Sequence, residues 1–138
     1  MMNKPGHRVL IIGCGALGVR HLQAVASLET VREIEVVDPG KEAIKQGQTL
    51  LQEINRRPQP VIRWLDSLQD CRPGGDLCIV ATKADVRETL VHSAVKNLGY
   101  RAFLLEKIVT QSLIAYESLM TLADQEGLSI WVNCKTRL

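Results

Sequence analysis

The chain has 138 residues, 46% of them apolar and only 4% aromatic, with a net charge of +2. That length allows one domain with a real core. Charges of both signs are spread along the chain, which argues against a dedicated binder of nucleic acid or acidic surfaces; no apolar run approaches the ~20 residues of a membrane-spanning helix.

Val9-Leu10-Ile11-Ile12 is an unbroken apolar run, the pattern of a strand buried on both faces of a parallel sheet. Gly13-Cys14-Gly15-Ala16-Leu17-Gly18 follows at once and spells G-x-G-x-x-G. Leu17, Leu22, Val25 and Leu28 then recur at roughly helical spacing, so the glycines lie between a predicted strand and a predicted helix. In that context Gly13 permits the turn out of the strand, Gly15 lets a pyrophosphate approach the backbone, and Gly18 lets the helix pack close to the sheet. The first N–H groups of the helix have no intrahelical partner and make an anion site with the helix dipole. Cys14, Ala16 and Leu17 complete the phosphate-facing loop, Cys14 as a small residue that fits.

Ile34-Glu35-Val36-Val37 predicts the next strand, closed by Asp38. An acid about 20 residues past the last glycine takes the adenosine ribose hydroxyls. A carboxylate there repels a 2′-phosphate, so NAD is expected over NADP, with Lys41 near enough to weaken the preference. The competing reading of Asp38 is a cap for the helix that follows.

Lys41 to Ile54 reads as a helix with Ala43, Ile44, Leu50, Leu51 and Ile54 inward, ended by Arg56-Arg57-Pro58-Gln59-Pro60. Val61 to Leu65 has the mixed character of an edge strand, Ser67 to Asp70 suits a short turn, and Arg72-Pro73-Gly74-Gly75 is a loop signal. Leu77 to Ala81 is a second buried strand. A helix over Val86 to Leu98 follows, with Leu90, Val91, Ala94, Val95 and Leu98 inward and Gly99 as its C-cap. Arg101 to Leu105 is a fifth strand, Leu113 to Glu126 a helix stopped by Gly127, and Ser129 to Asn133 a sixth strand. This alternation predicts an α/β fold, a doubly wound parallel sheet of the Rossmann type with about six strands in the order 3-2-1-4-5-6. A ligand is expected across the carboxyl ends of the strands, where the winding reverses between strands one and four.

Cys14, Cys71, Cys78 and Cys134 form no C-x-x-C pair and stand at no zinc-ligand spacing to a histidine, so reduced thiols and no metal are expected. Met1 to His7 contains no apolar leader segment, which makes the cytoplasm the expected compartment.

The later strand ends carry a family resemblance. Ala81-Thr82, then Leu105-Glu106-Lys107, then Val132-Asn133, each separated by a helix, resemble the N-terminal half of the Gfo/Idh/MocA oxidoreductases. Gly15 to His21, a Gly-x-x-Gly-x-Arg-His segment, is similar to the sugar-acting members. The resemblance implies that Lys107 reaches toward the nicotinamide and the substrate hydroxyl, orienting it and assisting proton transfer. It implies that Glu106 steadies the loop and the cofactor's ribose, and that Ala81, Thr82 and Lys83 line the cofactor near its middle. A lysine leaving a strand on the carboxyl side of the sheet is chemically suited to such acid–base work. Three positions depart from the family pattern. Ile108 stands for the proline after the lysine, Lys83 for a common proline, and Arg87 where many members carry a histidine. His21 is expected to pack along the first helix rather than to catalyse, and His92 to lie on the surface or pack.

Family members continue into an α+β domain that forms the other wall of the active site, whereas this chain stops at Leu138, just past Asn133 and Arg137. The resemblance therefore implies one dinucleotide-binding domain over residues 1–138: a fragment, a shortened version or one part of a split enzyme. Its expected function is the cofactor-binding half of an NAD(P)-dependent sugar oxidoreductase, with a sugar-type substrate taken only by a longer version. Without the second domain, apolar surface near the sixth strand is expected to be exposed and to favour self-association. The alternative is a non-catalytic NAD-sensing Rossmann module, against which Glu106-Lys107 and the Val132-Asn133-Cys134 ending speak.

Overall fold

The computed structural model describes residues 6–54 and 59–134. The sequence readings at Met1 to Pro5, at Arg56-Arg57-Pro58 and at Arg137 fall outside the described residues. Six strands form one parallel sheet: β1 (His7–Ile12), β2 (Val31–Val37), β3 (Val61–Leu65), β4 (Leu77–Val80), β5 (Ala102–Glu106) and β6 (Ser129–Asn133). Four helices connect them: α1 (Ala16–Ala26), α2 (Lys41–Leu51), α3 (Ala84–Leu98) and α4 (Leu113–Glu126). The strand order is β3-β2-β1-β4-β5-β6, as the alternation of elements requires.

Period-two alternation along β1 shows why the sheet is wound on both sides. Leu10 and Ile12 pack with Val91, Ala94, Val95 and Leu98 of α3 and with Leu119 and Leu122 of α4. Val9 and Ile11 pack on the other face, with Val19, Leu22, Val25 and Ala26 of α1. An apolar run without polar interruption is what a strand covered on both faces needs. Full burial of each such side chain contributes about 1.5–3 kcal/mol.

The register brings the strand ends level. Ile12 pairs with Val37 on one side and Val80 on the other, and Glu106 pairs with Asn133. The ladder then runs one residue further. Gly13 N donates to Val37 O at 2.8 Å, Ala81 N to Ile12 O at 2.8 Å, and Asp38 N to Leu65 O at 3.0 Å. Gly13, Asp38 and Ala81 thus leave the sheet side by side.

The helices differ from the sequence reading where local packing decides. α2 ends at Leu51 rather than Ile54. Its one buried residue is Gly47, and a Cβ there would sit 2.6 Å from Cys14 Sγ and 3.2 Å from the Trp64 ring. That close approach sets the rotation of α2 and leaves Leu50 exposed. Leu28 lies beyond the end of α1 and is exposed, and Leu17 is exposed as well. α3 begins at Ala84, so its first turn includes Arg87, which is buried. Gly99 and Gly127 close α3 and α4 in the left-handed conformation. Ser67 accepts from Gln69 N and starts a short 3-10 turn over Leu68–Asp70.

One charged residue is buried in the middle of the sheet. Glu35 of β2 is 1% exposed and pairs with Arg63 Nη1 on β3. Its carboxylate also accepts from Arg72 N at 3.3 Å. The edge strand thus supplies a partner that lets a carboxylate lie inside. Cys14, Cys71 and Cys78 are buried free thiols, and Cys134 is exposed. Among the described residues no helix is long and apolar enough to cross a membrane.

Candidate functional site

The glycine loop crosses the carboxyl end of β1. Gly13 has a φ of +99°, and a Cβ there would press on the Ala81 carbonyl at 3.1 Å. Gly18 lies directly beneath, where a Cβ would fall 1.9 Å from Gly13 O. Gly15 is different, because nothing lies within 4 Å of the Cβ position. It is the N-cap of α1, with no side-chain cap and no acidic residue in the first turn. The leading N–H groups of α1 therefore meet open space on the side where Gly15 lacks a side chain. That combination fits an anionic ligand.

Asp38 stands at the end of β2 and supports the loop directly. Its Oδ2 accepts from Cys14 N at 2.7 Å and its Oδ1 from Gly40 N at 2.8 Å. The N-cap of α2 is Gly40, so Asp38 does not cap that helix. Each carboxylate oxygen has a second lone pair available to a hydroxyl. The Cys14 side chain points away from the loop opening into the core beside Gly47, and only its backbone faces Asp38. Burial, followed by the nearby Asp38 charge, raises the Cys14 thiol to about 11. The thiol is protonated and unreactive near neutral pH.

Two clefts flank the loop. One, of about 780 Å³, runs from Gly13 and Asp38 past Ser67 and Leu68 to Thr82, Val86 and Leu90. The other, of about 860 Å³, is bounded by Gly15, Leu17, Thr82, Lys83, Glu106 and Lys107. They meet at Thr82. Ala16 and Ala81 also line the second cleft, so the residues expected to hold the cofactor border one of the two or belong to the glycine motif between them. Leu17 turns to this cleft rather than to the core.

The β5 end is the most heavily bonded part of the site. Glu106 is 5% exposed. Its Oε1 is hydrogen-bonded to His21 Nε2 of α1 and accepts from Asn133 Nδ2 of β6 at 3.1 Å. His21 is therefore more than a packing residue of the first helix: it meets the carboxylate directly before Lys107. Arg87 Nη1 donates to Glu106 O at 2.7 Å, to Val109 O at 3.1 Å and to Ile108 O, while Nη2 donates to Thr82 O. Lys107 itself is exposed, and its peptide bond to Ile108 is cis. His92 bonds Ser118 Oγ at 3.0 Å, away from the clefts. Among the described residues no group of three or more His, Cys, Asp or Glu side chains could hold a metal ion.

Arg87, marked in the sequence as a departure from the family pattern, and Asn133, marked as one of its strand ends, were given no role at the site. A signal for Arg87 existed: it continues the buried stripe of Val91, Ala94, Val95 and Leu98 one turn toward the N-terminus, so a buried arginine was legible there. Asn133 was legible as the last strand end of the family pattern, but its contact with Glu106 was not, because only the β5–β6 register brings the two together.

A doubly wound parallel sheet in this order, with a glycine loop at the switch point and an acid at the end of β2, is a fold of the Rossmann type. Solved structures with this fold include scyllo-inositol dehydrogenase from Lactobacillus casei. It is 16% identical with a TM-score of 0.75, over 96% of this chain and 37% of that one. The WlbA dehydrogenase from Bordetella pertussis, solved with NADH and UDP-GlcNAcA, is 18% identical with a TM-score of 0.75, over 96% of this chain and 36% of that one. UDP-N-acetylglucosamine 3-dehydrogenase GnnA from Acidithiobacillus ferrooxidans is 19% identical with a TM-score of 0.69, over 92% of this chain and 38% of that one. At these identities the likeness is one of fold. It agrees with the N-terminal Rossmann domain of the Gfo/Idh/MocA family that the strand-end motifs resemble. The chain spans less than two fifths of the length of these dehydrogenases. No family model matches the chain, and no curated protein sequence matches it.

Proposed function

We propose that this chain is the cofactor-holding half of an NAD-dependent oxidoreductase of the Gfo/Idh/MocA type, acting on the carbinol of a sugar or sugar derivative. The observation that carries the reading is the gathering, at one end of the sheet, of the open glycine at the start of α1, Asp38 at the end of β2 and Glu106-Lys107 at the end of β5. The N–H groups of Ala16 and Leu17 bind the pyrophosphate across Gly15. Asp38 takes the adenosine ribose hydroxyls with its remaining lone pairs and disfavours a 2′-phosphate. Ala81, Thr82 and Lys83 lie along the middle of the cofactor, between the two clefts.

When bound, the nicotinamide supplies the carbon that takes or returns a hydride. Lys107 would hold the substrate hydroxyl beside it and assist the transfer of its proton as hydride passes from the carbinol carbon to the nicotinamide. Glu106, fixed by His21 and Asn133, keeps the lysine-bearing loop against the sheet. The sugar class is supported by the inositol and UDP-sugar dehydrogenases that share the fold. Substrate contacts beyond Lys107 belong to a second domain in this reading.

Calorimetric titration of the chain with NAD and NADP tests the cofactor assignment. NAD should bind more tightly than NADP. Asp38→Ala should lose about 2 kcal/mol of NAD binding, as expected for hydrogen bonds to a charged group, and with it the preference. No binding of either nucleotide overturns the reading. The hydride step is tested in a protein carrying this chain with a substrate domain. There Lys107→Ala should abolish turnover while NAD still binds, and unchanged turnover would remove Lys107 from the chemistry.

A further inference from the structure

We propose that Arg87 is a positioning residue: it ties the strand end that carries Thr82 to the loop that carries Lys107, and so sets the geometry of the nicotinamide side of the cleft. The inference rests on the cofactor reading above and adds a residue to it.

Arg87 is among the largest fully buried side chains of the described residues, at 2% exposure. Its guanidinium reaches carbonyl oxygens on two segments that leave neighbouring strands. Thr82 O follows β4, Glu106 O ends β5, and Ile108 and Val109 O follow it. Only a planar fork with several donors can serve acceptors on both sides at once; a lysine ammonium is a single point with three donors. The rest of the buried face of α3, from Val91 to Leu98, is apolar, so the helix needs no cation there for packing. Arg87 Nε has no hydrogen-bond partner among the described residues. A buried cation with one donor unmade is costly, and its four carbonyl contacts are what it offers in return.

The consequence falls on Lys107. The preceding residue is gripped at both ends: Arg87 holds the Glu106 carbonyl, while His21 and Asn133 hold its carboxylate. The following residues are held through the Ile108 and Val109 carbonyls. The backbone around Lys107 is thereby fixed while its side chain extends into the open. Arg87 lines the cleft that contains Lys107 and not the one that contains Asp38. Its effect should therefore fall on the nicotinamide half of the cofactor and spare the adenosine half.

ADP-ribose is NAD without the nicotinamide, so the pair separates the halves. The 138-residue chain, Arg87→Lys and Arg87→Met are titrated with each ligand, and thermal unfolding is followed in parallel. The wild type should bind NAD more tightly than ADP-ribose. In both variants NAD affinity should fall about tenfold, equivalent to about 1.4 kcal/mol, while ADP-ribose affinity stays within about twofold. If Arg87→Met does not fold, Arg87→Lys carries the test alone. Equal losses for the two ligands would make Arg87 merely structural and overturn the proposal. Unchanged NAD binding, or equal affinities for the two ligands in the wild type, overturns it as well. A wild-type chain that binds neither ligand is a separate result, which overturns the cofactor reading and this proposal with it.

Discussion

Gly15 and Gly18 answer to different demands. Gly18 is required by the protein, since a Cβ would overlap the Gly13 carbonyl. Gly15 has an ordinary φ of −74° and empty space around its Cβ position, so the folded chain itself does not require glycine there. The two alanine variants should therefore separate stability from binding. Gly18→Ala should lower the midpoint of thermal unfolding, because either the loop or the helix must shift. Gly15→Ala should leave it unchanged or raise it, since reducing the freedom of the unfolded chain at a compatible φ adds about 0.4–1 kcal/mol. The same variant should weaken NAD, whose pyrophosphate needs the space. Gly15→Ala with unaltered NAD affinity would show that no ligand approaches the backbone there.

At the scale of elements, the strands were legible because runs such as Val9 to Ile12 leave little choice of environment. The order of the sheet followed from alternation and right-handed crossovers. Helix rotation was less legible: Gly47, a residue with no side chain, determines how α2 sits against Cys14 and Trp64. The loop glycines and Asp38 were readable because their chemistry is local. The support of Glu106 was not, because His21, Arg87 and Asn133 come from three different elements. Glu35 belongs with these, since its burial depends on Arg63 across the β2–β3 pair. Arg63→Ala would leave a buried carboxylate with only the Arg72 N–H among its known donors here. The loss should be about 2 kcal/mol in chemical denaturation. An unchanged midpoint would mean that water replaces the guanidinium at no cost.

For the whole molecule, several large apolar side chains lie exposed near the β6 edge of the sheet. Ile108, Leu113, Ile114, Tyr116, Trp131 and Val132 are exposed, with Ile114 at 82%. All belong to α4, β6 or the loop between β5 and α4. The same elements give the core Leu119 and Leu122 of α4, while these exposed side chains stay outside it. These side chains therefore contribute little to folding, and polar replacements among them should fall within about 0.5 kcal/mol of the parent stability. Apolar surface of this kind favours association between molecules. Light scattering should show a mass that rises with concentration, and a double variant with Ile114→Lys and Trp131→Lys should hold the mass of one chain while keeping its unfolding midpoint. A large fall in that midpoint would show that the two residues are covered in solution, by a second copy or by their own chain. A constant mass for the parent chain would show that the scattered apolar groups do not join into a surface large enough to associate.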